Sequence, residues 1–137
     1  MPTASPVGPG PGPTRRVLVV DDDDLLREVA KAALELVGGW QVTTSPSGAA
    51  AHAQALASPP DAILLDVMMP GLDGPATVAA LAGHQATRDI PIIFLTAKRS
   101  GDNSSTWEDL GLAGVIGKPF DPMTLAHEMA ALLGWPT

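Results

Sequence analysis

The sequence predicts an α/β domain built on a doubly wound, five-stranded parallel sheet with five helices on its two faces. Three observations lead there. From Arg15 onward, short strand-like runs and helix-like segments alternate five times with short joints, the pattern of repeated βα units. Arg16–Val20 and residues 62–65 are apolar without alternation, as strands covered on both faces by helices are. A polar group stands just past four of the runs: Asp21 and Asp22, Asp66, Thr96, and Lys118.

The elements follow in order. Arg16–Val20 is the first strand. Residues 23–37 place Leu25, Leu26, Val29, Ala33, Leu36 and Val37 at helical spacing and stop at Gly38 and Gly39. Residues 40–44 alternate, as an edge strand would. Ser47 caps an Ala-rich helix that runs through Ala57 and is closed by Ser58, Pro59 and Pro60. Residues 62–65 form a strand, 75–81 a helix with Pro75 in its first turn, and 91–95 a strand. A helix over residues 103–110 is only weakly signalled, because Asn103, Ser104, Ser105 and Thr106 are poor helix formers; Trp107 within it is a candidate partner contact. Residues 115–116 are a short strand, and 122–133 a closing helix with Leu125, Met129, Leu132 and Leu133 on one face. Trp40 and Trp135 read as packing residues.

Parallel strands need right-handed crossovers that cover the sheet. The flavodoxin-like order 2-1-3-4-5 puts its switch point between strands one and three, where open sheets of this kind bind ligands. Asp21 and Asp22 end the first of those strands and Asp66 the second. Thr96 and Lys118 end strands four and five, so three acids, a hydroxyl and an ammonium are expected to converge on one pocket.

Composition narrows the function classes. At 137 residues the chain is long enough for one domain with a real core, expected over residues 15–135. Residues 1–14, rich in Pro and Gly and without a charged side chain, read as a flexible tail; they lack the basic and apolar regions of a signal peptide. A net charge of -7 with no basic run argues against direct nucleic-acid binding. With no cysteine there is no disulfide framework or thiolate metal site. No stretch reaches the roughly 18 unbroken apolar residues of a spanning helix, so no membrane partner and a cytoplasmic location are expected.

Singly, each polar group has an ordinary reading. Asp21 to Asp24 could be a solvated helix start, since acids favour the first turn. Asp66 could cap a turn, Thr96 could end a strand, and Lys118 could be a surface charge. Together they are far more specific. The segments VLVVDDDDLLR (17 to 27), LLDVMMPGLDG (64 to 74), FLTAK (94 to 98) and GKPF (117 to 120) resemble the receiver domain of bacterial two-component response regulators, of the single-domain type. The resemblance spans nearly the whole chain from residue 15.

That resemblance implies a set of roles. Asp66 is the phosphoacceptor, taking a phosphoryl group from a phosphohistidine on a sensor histidine kinase. Asp21, Asp22, Asp66 and the backbone carbonyl of Met68 hold Mg²⁺, for which all-oxygen ligands are suited. Lys118 and Thr96 each serve a phosphoryl oxygen, and the Lys118-Pro119 bond is cis. Implied partners are the kinase, a histidine phosphotransfer protein or a downstream effector protein, and a second copy in a homodimer. No effector segment follows the closing helix, so output is expected through another chain. Crowded like charges are expected to raise at least one carboxyl pKa of the metal-free site.

One position departs from the family pattern. Three residues before Lys118 the family commonly has Tyr or Phe, whose ring moves inward on phosphorylation; here it is Val115, which has no ring to relocate. Output is then expected through the segment from Thr96 to Asn103 and the weak fourth helix. His52, His84 and His127 lack metal-ligand spacing and read as surface residues. Two other readings stay open. One is a pseudo-receiver that binds partners without phosphorylation, although no expected site residue is missing. The other is a phosphatase of the haloacid-dehalogenase type, which uses a DxDxT pattern after its first strand; Asp66-Val67-Met68 lacks the second Asp.

Overall fold

A computed structural model of the chain describes residues 14–97 and 110–136. The expected tail, Trp107 and nearly all of the weakly signalled helix over 103–110 lie outside them. The described elements are β1 (Arg16–Val20), α1 (Asp24–Gly38), β2 (Gln41–Ser45), α2 (Gly48–Ala57), β3 (Ala62–Asp66), α3 (Gly74–Ala82), β4 (Ile92–Thr96), β5 (Gly114–Gly117) and α4 (Leu125–Leu133). The strands form one sheet in the order β2-β1-β3-β4-β5, every pair parallel. This is the expected doubly wound sheet, with four helices among the described residues.

Local chemistry explains the boundaries. Asp23 caps α1, its Oδ1 accepting the N–H groups of Leu25 and Leu26 at 3.0 and 3.1 Å. Gly39 ends α1 in the left-handed region at φ 71°, where only glycine is unstrained. β2 begins one residue later than the expected strand over 40–44, because the Trp40 N–H still bonds to Leu34 O of α1. Ser47 caps α2 by accepting from Ala50 N, as expected. α4 starts at Leu125 and not at residue 122. Asp121 folds the preceding residues into a turn, its side chain accepting from Met123 N at 2.8 Å and its carbonyl from Thr124 N and Leu125 N at 3.0 Å.

Strand period 2 sorts the core onto two faces. Val17, Val19, Leu64, Ile93, Leu95 and Ile116 pack with α1 and α4. Leu18, Val20, Ile63, Leu65, Ile92 and Phe94 pack with α2 and α3. Every residue of β3 and β4 is buried, which is why both lack alternation. Trp40 and Trp135 pack as expected, edge to face with ring centroids 5.1 Å apart, and Arg15 covers Trp135 at 4.8 Å. Among the described residues no helix is long and apolar enough to cross a membrane.

Among the described glycines, the tightest surroundings are at Gly48, the first residue of α2. A Cβ there would sit 2.2 Å from Thr77 Oγ1 and 2.5 Å from the Leu72 carbonyl oxygen. Backbone cannot give way as a side-chain tip can, so Gly48→Ala should destabilise the domain by about 1–3 kcal/mol, read by urea unfolding. The same substitution at Gly114 meets only the tip of Leu132, at 2.6 Å, and should cost clearly less. Equal losses would show that the α2–α3 seam opens freely.

Candidate functional site

The parallel register brings the four polar positions to one edge. β1 and β3 are neighbours, with Val20 opposite Leu65, so the residues that follow or end them, Asp21 and Asp66, stand side by side. Asp66 is paired with Leu95 and Thr96 with Gly117, so Thr96 and Lys118 are delivered to the same edge from β4 and β5. The ladder extends one step further, with Lys118 N donating to Thr96 O at 2.8 Å. The Lys118-Pro119 bond is cis, as expected.

The acidic run divides into distinct tasks. Asp21 is fully buried at the end of β1, and its Oδ1 accepts from Asp23 N at 2.9 Å. Asp22 is exposed at the pocket mouth. Asp23 caps α1, and Asp24 lies in its first turn paired with Arg27. The helix-start reading therefore accounts for Asp23 and Asp24 and leaves Asp21 and Asp22 to the pocket. One carboxylate oxygen from each of Asp21, Asp22 and Asp66 lies within 4.8 Å of the others.

Lys118 is the cation held between the acids. Its Nζ lies 3.0 Å from Asp21 Oδ2 and 3.2 Å from Asp66 Oδ1. Asp21 Oδ2 is buried, and the Lys118 ammonium 3.0 Å away is its countercharge. Met68 N donates to Asp66 Oδ1 at 3.3 Å while the Met68 side chain is exposed. Thr96 is buried at the end of β4.

Three carboxylate oxygens at neighbouring strand ends form a donor set suited to a hard divalent ion and unsuited to a thiophilic one. Burial raises the Asp66 carboxyl above the usual range, and the like charge of Asp21 pushes the same way; Lys118 and the Met68 N–H oppose them without prevailing. Crowded like charges were expected to raise a carboxyl; at Asp66 burial is the larger cause and the Asp21 charge the second. Burial alone would lower Lys118, but its contacts with Asp21 and Asp66 outweigh that and hold it above the ordinary lysine range.

Two supports were not read from the sequence. Arg27 reaches back from α1, its Nη1 donating to the Asp21 carbonyl at 2.7 Å, so the loop that aims Asp21 is pinned by the helix it precedes. Nothing in LLR distinguishes this arginine from a solvated one; only the turn of α1 brings it round. After β3, Gly71 takes φ 75° and Gly74 N donates to Val67 O at 2.9 Å, folding the loop beside Asp66 back on itself. The glycines of MPGLDG were the available signal. Val115 is 45% exposed on β5. His84 is exposed as expected, whereas His52 is partly buried.

Comparison with known proteins gives one family. The model of the response regulator receiver domain matches residues 17–130. The phosphate regulon transcriptional regulatory protein PhoB of Pseudomonas aeruginosa is 38% identical over 119 residues, covering 87% of this chain and 52% of that protein. The transcriptional regulatory protein PrrA of Mycobacterium tuberculosis is 38% identical over 118 residues, covering 86% and 49%. The chain thus spans about half the length of the curated relatives it matches. Among solved structures, the chemotaxis protein CheY4 of Vibrio cholerae superposes with a TM-score of 0.81 at 30% identity, covering 88% of this chain and 99% of that one. The receiver domain of a signal transduction histidine kinase from Syntrophus aciditrophicus gives 0.77 at 30% identity, covering 88% and 91%.

The raised Asp66 carboxyl sets a sign for stability. A folded-state pKa above the unfolded value contributes stability that is full below the unfolded pKa and is lost as pH rises through the folded pKa. Ionising Asp66 in the metal-free fold therefore costs stability as pH rises. Asp66→Asn should be more stable than wild type at neutral pH by about 1 kcal/mol, and the difference should shrink as pH falls to about 5. Urea unfolding in EDTA at both pH values checks this; an amide variant less stable at neutral pH would mean that attraction to Lys118 dominates.

Proposed function

The chain belongs to the response regulator receiver domain family, and from that premise we propose that it is a phosphorylation-controlled switch whose Asp66 accepts a phosphoryl group from a phosphohistidine of a sensor histidine kinase. The observation that carries the reading is the placement of Asp66: a buried carboxylate at the sheet edge, 3.2 Å from Lys118 Nζ and grouped with Asp21 and Asp22.

In the transfer, a carboxylate oxygen of Asp66 attacks phosphorus in line with the breaking P–N bond. The electron pair of that bond stays on the imidazole nitrogen of the donor, and the product on this chain is an acyl phosphate. Attack by an anion on an already anionic phosphoryl group depends on positive charge and aligned donors at the oxygens. Lys118 supplies an ammonium whose raised pKa keeps it charged throughout the neutral range. Thr96 supplies a hydroxyl from the end of β4. Mg²⁺, held by Asp21, Asp22, Asp66 and the Met68 carbonyl, would contribute charge neutralisation at the phosphoryl oxygens when bound. Asp21 and Asp22 serve in this reading as ligand residues and not bases, because a carboxylate nucleophile has no proton to be removed.

The surroundings suit a protein donor. A groove of about 270 Å³ beside the pocket is lined by Leu25, Leu26, Val29, Pro119, Phe120 and Pro122, with Asp23 at its edge. Leu25 is 70% exposed and Met123 68% exposed, apolar surface of the kind that protein partners cover. The reading is of a signalling protein and not an enzyme acting on a separate substrate. The kinase delivers the phosphoryl group, and an effector protein, a histidine phosphotransfer protein or a second copy receives the signal, all in the cytoplasm. With Val115 in place of a mobile ring, the output passes through the segment after Thr96.

Incubation with acetyl phosphate and MgCl₂ should add one phosphoryl group, mapped by peptide mass to Asp66 and absent in Asp66→Asn. Labelling retained in that variant would move the acceptor elsewhere. A wild type that accepts nothing from acetyl phosphate or phosphoramidate would be a binding module outside phosphoryl control.

Mg²⁺ should also stabilise the folded chain, since it binds the assembled pocket and not the unfolded one. At tenfold excess over Kd the gain is about 1.4 kcal/mol, or about 3–6 °C in midpoint for a domain of this size. The shift should vanish in Asp22→Ala, whose exposed side chain is not needed for folding. An undiminished shift in that variant would place the metal away from the acidic pair.

A further inference from the structure

On the face of the sheet covered by α2 and α3, two histidines distant in sequence meet. The rings of His52, in the second turn of α2, and His84, just beyond the end of α3, have centroids 4.9 Å apart and planes inclined by 45°. His52 Nε2 is buried and has no hydrogen-bond partner. Neither residue belongs to the acid cluster. We infer that His52 and His84 form a two-imidazole site for a borderline divalent transition ion, of the Zn²⁺ or Ni²⁺ class, across the α2–α3 seam.

The spacing suits chelation. Two imidazoles bound to one ion at about 2.0–2.1 Å with a tetrahedral angle between them hold their ring centres about 5 Å apart. Packed rings of this separation occur without a metal, but stacking does nothing for an orphaned nitrogen, whereas a buried polar atom ordinarily has a partner. An ion would supply one. Imidazole nitrogen also selects the ion class: Zn²⁺, Ni²⁺ and Cu²⁺ favour it, while Mg²⁺ prefers the oxygens of the acid pocket.

Both ligands are set on ordered backbone. His52 is flanked on α2 by Ala51 and Ala55, each fully buried against the sheet. His84 stands on a bonded turn: its N–H donates to Leu81 O at 3.3 Å, its carbonyl accepts from Thr87 N at 3.1 Å and Arg88 N at 2.9 Å, and Thr87 Oγ1 donates to Leu81 O at 2.6 Å. The His84 ring is solvent-exposed, so an ion enters past it and water fills the remaining positions. Bound there, the ion ties α2 to the end of α3 and stabilises the fold by an amount that grows with the logarithm of its concentration above Kd.

Calorimetric titration of the untagged full chain with NiCl₂, in millimolar MgCl₂ to fill the acid pocket, should show one-to-one binding. His84→Ala, which alters an exposed side chain, and His52→Gln should each abolish it, while His127→Ala and Asp66→Asn retain it. Long-range ¹H–¹⁵N spectra should move the ring resonances of His52 and His84 and leave His127 in place. Should His52→Gln fail to give a cooperative melt, His84→Ala and the spectra decide. Wild-type binding in His84→Ala, loss of binding in Asp66→Asn, or unmoved ring resonances, the result for a plain ring pair, would each overturn the site.

Discussion

Three carboxylates on adjacent strand ends repel one another, and that repulsion governs the whole carboxyl edge of the sheet. One oxygen from each lies within 4.8 Å of the others, and two of the three side chains are buried. Low polarity around them strengthens each Coulomb term, so a countercharge is needed at close range. Lys118 meets it from β5, contacting Asp21 and Asp66 at once. It balances one charge of three, while burial first and the Asp21 charge second hold the Asp66 carboxyl above its ordinary range. A pocket left deficient in positive charge in this way is disposed to accept a divalent cation.

The same constraint explains the sheet order. β4 separates β3 from β5, so Lys118 reaches Asp66 across the end of β4, where Thr96 sits. Another strand order would strand the ammonium at a distance from the acids. Arg27 and Asp23 complete the arrangement from α1, one holding the Asp21 carbonyl and the other capping the helix. The acidic loop is thereby fixed by the element that follows it, which keeps Asp21 aimed inward despite the charge beside it. The apolar groove of Leu25, Leu26 and Phe120 starts where this polar network ends.

Much of this was legible before any coordinates. Unbroken apolar runs such as 62–65 identify buried parallel strands because only sheets covered on both faces tolerate them. Ser47 announced its helix because a hydroxyl accepting a helical N–H is a local interaction. The residues of the pocket were legible because each stands just past a strand, and a parallel sheet sends all such positions to one edge. Boundaries were less so. The start of α4 depends on the turn made by Asp121, and the start of β2 on Trp40 still bonding into α1.

What the sequence determined by itself is therefore what short-range physics determines: element type, caps, strand polarity, and which side chains share an edge. What only the tertiary structure decided are the contacts between segments far apart in the chain. Lys118 spanning two acids, the backbone approach at Gly48, and the meeting of His52 with His84 all belong to this class. None is visible in residue spacing. Helix rotation, loop path and the depth at which two helices pack fix these distances, and those are settled by the packing of the whole core, not by any local run of residues.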